Sequence, residues 1–122
     1  MGFRCLGVYE REFRPLLHEV EKSFAQRTGH TLSFIPCVER LELYTLAEKQ
    51  WDAVLVALSG AEGMEAANSV REANPGVPLV WVSDDKAFGV QSYRLRAQMF
   101  LCLPVKKEEV VQALVQCFEK QI

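Results

Sequence analysis

The chain has 122 residues and a formal net charge of −2, and 49% of its residues are hydrophobic while 25% are charged. This length is typical of one domain, and this composition excludes an intrinsically disordered chain. The small net charge gives no broad electrostatic attraction to nucleic acid. The sequence contains neither the roughly 20 consecutive apolar residues of a membrane span nor a signal peptide. We therefore expect a single domain, residues 1–122, in the cytoplasm.

The four cysteines and two histidines are spread along the chain, and no two cysteines have CxxC spacing. Structural zinc sites need such close pairs, so the sequence predicts no metal and no cofactor. Cys5 and Cys102 lie in apolar runs, as small core residues do. Nothing in the sequence indicates secretion, and we expect the thiols to be reduced. The cysteines are Cys5, Cys37, Cys102 and Cys117.

Apolar periodicity predicts five strands that alternate with five helices. Short apolar runs mark the strands, and apolar residues at helical spacing mark the helices. The predicted strands are residues 3–8, 31–36, 53–58, 78–83 and 99–103. The first predicted helix has its apolar face at residues 13–24 and is expected to end at Gly29, and the other predicted helices are residues 39–49, 59–74, 86–96 and 106–120. Gly89 weakens the fourth of these helices.

The third predicted strand is the centre of the fold, because residues 53–58 are all apolar. A short run without polar alternation is typical of a strand that is buried on both faces of a parallel sheet. Alternating strands and helices imply right-handed crossovers, with helices on both faces of the sheet. The sequence therefore predicts a three-layer (βα)5 fold whose parallel five-stranded sheet has the order 2-1-3-4-5.

Turn residues predict where several elements begin and end. Pro15 is expected in the first turn of the first helix, and Gly29 at its C-terminal end. Ser59 and Glu62 have the spacing of a capping box at the start of the third helix. Pro36 cannot donate to a ladder, so the second strand is expected near an edge of the sheet.

The sequence resembles the receiver domains of bacterial response regulators, strongly from residue 51 onward and loosely before it, and especially those that precede LytTR-type DNA-binding domains. Residues 51–58 resemble the family's YDLIFLDI strand, and a later segment is similar to its A-x-x-Y-L-x-K-P motif. The matching positions are Ser83, Phe88, Tyr93, Leu95, Ala97, Phe100, Leu101 and Pro104. The resemblance implies a flavodoxin-like, CheY-like fold, a role in two-component signal transduction, and a cis peptide bond before Pro104.

The positions that carry the family's chemistry differ in this chain. The family's phosphoacceptor aspartate falls at Ala57, and the lysine that precedes the proline of its motif falls at Leu103. The acidic pair that holds Mg²⁺ falls at Tyr9 with either Val8 or Glu10, so at most one carboxylate of three is kept. Phosphoryl transfer to a carboxylate needs the nucleophile, the cation and positioned donors. We therefore expect a degenerate receiver that is neither phosphorylated nor an enzyme.

Several residues near the same edge of the sheet have two interpretations each. Asp84 and Asp85 either form a relocated cation site with Glu10 or cap the fourth helix, a position that Asp favours. Phe100 falls at the family's switch aromatic, and without a phosphate we expect it to keep one conformation. Tyr93 is either a packing residue or part of an interface.

A surface made by the fourth helix, the fifth strand and the fifth helix is predicted to bind a protein partner or a second copy. The apolar arc of the fifth helix is wider than one core contact needs, which leaves Val111 and Val115 for the surface. Basic residues also cluster here, either as an ordinary solvated face or as contacts to an acidic protein or to nucleic acid. They are Arg94, Arg96, Lys106 and Lys107.

The leading hypothesis is a phosphorylation-independent interaction or regulatory module. It is either free-standing or the N-terminal part of a transcriptional regulator whose downstream domain contacts nucleic acid. The alternative is a small-molecule sensor that uses the vacated acidic site. The lining residues of that site are predicted to be Ala57, Ser59, Ser83 and Leu103. An enzyme is not supported, because the sequence has no evident nucleophile–base pair and no glycine-rich phosphate loop.

Overall fold

The computed structural model describes residues 2–122, which form a parallel sheet covered by helices on both faces. The strands are β1 (Gly2–Tyr9), β2 (Thr31–Pro36), β3 (Ala53–Ala57), β4 (Leu79–Ser83) and β5 (Met99–Cys102). The helices are α1 (Arg14–Thr28), α2 (Leu43–Ala47), α3 (Gly60–Ala73), α4 (Gly89–Arg94) and α5 (Lys107–Phe118). The strand order is β2-β1-β3-β4-β5, which confirms the predicted topology.

The central strand is buried along its whole length, as its apolar run predicted. All five residues of β3 are buried, and the strand pairs with β1 on one side and β4 on the other. Pro36 ends the edge strand β2, and Gly29 ends α1 with a left-handed φ of 77°. None of the helices within residues 2–122 combines the length and the apolar composition of a membrane span.

Two helices are shorter than the sequence predicted. Over residues 39–49 the chain forms a 3-10 turn and then the five-residue α2. Over residues 86–96 it forms a 3-10 turn and then the six-residue α4. In α2 only Leu43 and Ala47 are buried, so little apolar packing supports a longer helix. In α4 a glycine follows the 3-10 turn, which weakens helix formation there.

A separate apolar core fills each side of the sheet. On the side of α1 and α5, Phe3 stacks on Phe118 at 4.3 Å between ring centroids, and Phe24 meets both rings edge-on. On the side of α2, α3 and α4, Trp81 is the largest fully buried side chain and contacts Phe88. Because helices cover both faces of the sheet, the strands have apolar side chains on both faces.

The prediction that Val111 lies at the surface is wrong. Val111 is only 2% exposed and belongs to the core on the side of α1 and α5. The apolar arc of α5 is wide because the helix packs both on the sheet and against α1, where Arg27 donates a hydrogen bond to Gln112 at 2.6 Å. Val115 is half-buried at the margin of the same core.

Gly63 is expected to be essential for the tight connection between β3 and α3. Only Leu58 and Ser59 separate the two elements, and a Cβ atom added to Gly63 would collide with the Leu58 carbonyl group. Alanine favours a helix over glycine by about 1 kcal/mol. We nevertheless expect Gly63→Ala to lower the free energy of unfolding by about 2 kcal/mol or more, because the collision involves backbone atoms.

Urea denaturation measures this difference. Gly76→Ala is the matched control, since a Cβ atom there would meet no heavy atom within 4 Å. We expect the control to stay within about 0.5 kcal/mol of the wild type. A Gly63→Ala variant as stable as the control would contradict the close approach of α3 to the end of β3.

Candidate functional site

The carboxyl ends of β1, β3 and β4 meet at one edge of the sheet. Tyr9 pairs with Ala57, and Ala57 pairs with Val82, so that Ser83 ends the next strand one residue further on. In α/β sheets of this kind, ligands bind beyond the carboxyl ends of the strands. Ala57 therefore lies at the centre of the candidate site, between the other positions that the sequence identified.

Two carboxylates reach this edge, and both are bonded to the start of α3. Glu10 follows β1 and accepts a hydrogen bond from the Ser59 backbone N–H at 2.8 Å. Asp84 follows β4 and accepts one from the Gly60 backbone N–H at 2.9 Å. The first amides of a helix have no intrahelical acceptor and carry a partial positive charge, so both contacts stabilise the helix. The predicted Ser59 capping box does not form, because Ser59 makes no side-chain cap hydrogen bond.

Asp85 takes the simpler of its two predicted roles. Its carboxylate accepts a hydrogen bond from the Ala87 backbone N–H at 2.9 Å and thereby caps the 3-10 turn that precedes α4. Its own N–H donates to the Ser83 hydroxyl at 3.1 Å. Asp84 instead contacts the loop before α3. Within residues 2–122 no group of three or more His, Cys, Asp and Glu side chains is arranged to hold a metal ion.

Apolar groups occupy the remaining positions of the site. The Ala57 methyl group is almost completely buried, and Ser83 has no exposed surface. Leu103, where the resemblance would require a lysine, is 41% exposed, and its N–H donates to the Ser83 carbonyl at 2.8 Å. The peptide bond between Leu103 and Pro104 is cis, as the resemblance implied. The edge therefore combines the apolar side chains of Ala57 and Leu103 with the Ser83 hydroxyl, which already accepts a hydrogen bond.

Three of the four thiols are poor candidates for a nucleophile in place of the absent aspartate. Burial raises the pKa of Cys117 to about 12 and raises the pKa of Cys5 and of Cys37 as well. The reactive form of a cysteine is the thiolate, so these three groups remain protonated and unreactive near neutral pH. All four cysteines are free thiols.

The aromatic position and the interface positions in and beside α4 lie on the α4 side of the sheet. Phe100 is half-buried and packs edge-on against Trp81 at 5.3 Å between centroids. Tyr93 is 85% exposed, which excludes a packing role. Arg94 is exposed, and Arg96 is exposed with a left-handed φ of 54°.

The four basic residues do not form one compact cluster. Arg96 lies near the amino edge of the sheet, where its guanidinium donates to the Pro75 carbonyl at 3.4 Å. Lys106 precedes α5 at the opposite, carboxyl edge, because it follows β5 by only a few residues. The basic residues therefore extend along the whole face that α4, β5 and α5 form.

Comparison with known proteins defines the fold. No family model and no curated protein matches the sequence. A signal receiver domain of a two-component histidine kinase from Clostridium thermocellum superposes with a TM-score of 0.71 at 12% identity, covering 96% of this chain and 98% of that one. A CheY-like receiver domain from Methanospirillum hungatei JF-1 gives 0.71 at 16% identity, covering 99% and 97%. An orphan response regulator of H. pylori gives 0.69 at 18% identity, covering 94% and 95%.

These structural neighbours are response-regulator receiver domains, and this chain has their CheY-like fold. At such low identity the similarity concerns the fold. The function of the chain therefore depends on its own residues at the carboxyl edge.

Sequence reasoning missed the contacts that join the loops after β1 and β4 to the start of α3. The bonds from Ser59 to Glu10 and from Gly60 to Asp84 join residues 49 and 24 positions apart. No local pattern marks such pairs. Gly63 did carry a signal, because an isolated glycine near the start of a helix is costly and often indicates close packing.

Proposed function

We propose that this chain is a degenerate receiver domain that acts through protein contacts without being phosphorylated. The main support is Ala57, which ends the central strand at the middle of the carboxyl edge. A methyl group has no lone pair with which to attack phosphorus. The chain would then be an interaction or regulatory module and not an enzyme.

The other groups at the edge support the same proposal. Mg²⁺ binds oxygen ligands, usually carboxylates together with water. The carboxylates of Glu10 and Asp84 are instead hydrogen-bonded to the amides of Ser59 and Gly60. Leu103 has no charge with which to pair an acyl phosphate. The chain therefore lacks the nucleophile and the cationic side chain, and each of its two nearby acids has one oxygen hydrogen-bonded to a backbone amide.

The proposed contact surface is the face formed by α4, β5 and α5. Tyr93 and Val90 project from α4 with most of their surface exposed, and Val115 is half-buried on α5. Exposed aromatic residues beside arginine are typical of protein interfaces. We propose a protein partner or a second copy for this face, and contact with nucleic acid only through a downstream domain such as a LytTR-type domain. Free thiols agree with a reducing compartment, and we propose the cytoplasm.

Small-molecule sensing at the vacated site has weaker support. Ser83 is fully buried and its hydroxyl already accepts from Asp85. The carboxylates of Glu10 and Asp84 are likewise bonded to backbone amides. These polar groups already make hydrogen bonds within the chain, and a ligand would have to compete with or add to those bonds.

Incubation of the purified chain with acetyl phosphate and Mg²⁺ is expected to add no phosphoryl group. Intact-mass spectrometry measures the addition, and a receiver domain with an acceptor aspartate, treated in parallel, is the positive control. A hydroxylamine-labile gain of one phosphoryl group would falsify the proposal, because that lability identifies an acyl phosphate. A hydroxylamine-resistant gain would instead assign the chemistry to a hydroxyl such as Ser59 or Ser83.

A further inference from the structure

Two groups of exposed apolar side chains lie on either side of α3, one beside α2 and one on α4. Beside α2, Val38 and Leu41 are 82% and 96% exposed, and Tyr44 is exposed on the same turn. On α4, Val90 is 67% exposed and Tyr93 even more so. Exposed apolar side chains grouped in this way mark contact sites more often than isolated ones do.

The chain segments that carry these two groups have charges of opposite sign. Residues 86–107 contain no acidic residue and five basic ones. These are Lys86, Arg94, Arg96, Lys106 and Lys107. Residues 38–48 contain three acidic residues and one basic residue, Arg40, which is itself paired with Glu62 of α3 at 3.2 Å. The acidic residues of this segment are Glu39, Glu42 and Glu48.

α3 separates the two groups within one molecule. On one side, Arg40 pairs with Glu62, and residues of α2 and α3 line a small cavity of about 130 Å³ between the helices. On the other side, Gln91 of α4 donates to Asn68 of α3 at 3.0 Å. We call Val38, Leu41 and Tyr44 with their acidic neighbours the acidic flank, and Val90 and Tyr93 with their basic neighbours the basic flank.

We infer that the acidic flank of one copy binds the basic flank of another. The inference rests on the proposed interaction role of the α4 face and names a second copy of the chain as its partner. The two flanks match in the two properties that define an interface, a central apolar group and charges of complementary sign around it. The two flanks of one molecule lie on opposite sides of α3 and so do not contact each other. Each flank can therefore bind only the complementary flank of another copy. Such a contact is heterologous and joins copies head to tail in a ring or an open filament.

Sedimentation velocity of the full chain tests for this association. In low salt we expect the sedimentation coefficient to rise with protein concentration. Raising the salt from about 0.05 M to about 0.5 M shortens the screening length severalfold, and we expect it to weaken association by about tenfold or more. A wild type that stays monomeric at every concentration in low salt would overturn the inference.

A pair of complementary variants tests the head-to-tail geometry. Leu41→Arg places a cation in the acidic flank, and the double variant Val90→Ser with Tyr93→Ser removes the apolar side chains of the basic flank. Each variant alone is expected to be monomeric, because every contact it can make includes its altered flank. An equimolar mixture is expected to form a one-to-one dimer that does not grow, because each variant contributes its intact flank.

The controls separate this geometry from loss of folding and from a symmetric contact. Ile122→Arg and Ile122→Ser change an exposed apolar residue outside both flanks and are expected to associate as the wild type does. Circular dichroism should show every variant to be folded, since the altered side chains are exposed. If the mixture stays monomeric, or if Leu41→Arg alone associates as the wild type does, the head-to-tail contact is wrong. Association of Leu41→Arg alone would indicate a symmetric contact through α4. It would not contradict the proposed function.

Discussion

The variant Ala57→Asp is expected to gain no phosphoryl group from acetyl phosphate and Mg²⁺, although it restores the acceptor residue of the receiver fold. Ala57 is only 7% exposed and packs in the core on the side of α1 and α5. Burial disfavours the charged form of a carboxyl group and so raises its pKa. The new side chain would be largely a neutral acid, and a neutral acid is a poor nucleophile.

The partners of an acceptor aspartate are also missing. The Leu103 side chain has no ammonium group to pair with the product, and the Glu10 carboxylate is bonded to the Ser59 amide. Phosphoryl transfer depends almost entirely on positioned charge, so one restored group cannot replace the others. We expect the double variant Ala57→Asp with Leu103→Lys to remain unlabelled as well, because it still lacks the second acid for Mg²⁺.

Intact-mass spectrometry with hydroxylamine treatment measures this result. Ala57→Asn is the matched control, because asparagine has nearly the size of aspartate and cannot form an acyl phosphate. Any loss of stability that the two variants share reports the burial of a polar group at this position. A hydroxylamine-labile phosphoryl group on Ala57→Asp, absent from Ala57→Asn, would show that Glu10 and Mg²⁺ are sufficient at this edge.

The variant Arg71→Ala is expected to lower the free energy of unfolding by about 3 kcal/mol, since hydrogen bonds from charged groups contribute about 1.5–3 kcal/mol each and are not additive. The Arg71 guanidinium donates to five backbone carbonyls at the amino edge of the sheet. The acceptors are Leu95 at 2.7 Å, Asn74 at 3.1 Å, Pro75 at 2.8 Å, Val77 at 2.8 Å and Arg96 at 3.2 Å. Burial, and then the nearby Arg96 guanidinium, lower the pKa of Arg71 from its ordinary value.

These bonds join the end of α3, the loop that precedes β4 and the loop that precedes β5. Arg71→Lys is expected to recover less than half of the lost stability, because an ammonium group has three donors on one atom and cannot reach carbonyls in several directions. Arg14→Ala, at an exposed arginine, is the matched control and should stay within about 0.5 kcal/mol of the wild type in urea denaturation. An Arg71→Ala variant as stable as this control would contradict the proposed role of the guanidinium.

Local patterns were sufficient to predict the architecture. The unbroken apolar run of residues 53–58 predicted the central strand, and the alternation of strands and helices predicted the parallel order of the sheet. Gly29 predicted the end of α1, because a left-handed residue there favours glycine. The position of Ala57 at the carboxyl edge also followed from the sequence, because a strand that ends in the middle of such a sheet ends at the candidate site.

The sequence by itself therefore determined which segments are buried and which residues lie at the edge of the sheet, because both follow from periodicity along the chain. Only the tertiary structure decided how the groups at that edge are satisfied. Glu10 and Asp84 meet the start of α3, where Ser59 and Glu62 were expected to cap it. Val111 is buried because α5 also packs against α1. In each case the competing partners are far apart in the chain, and only their packing in three dimensions determines which contact forms.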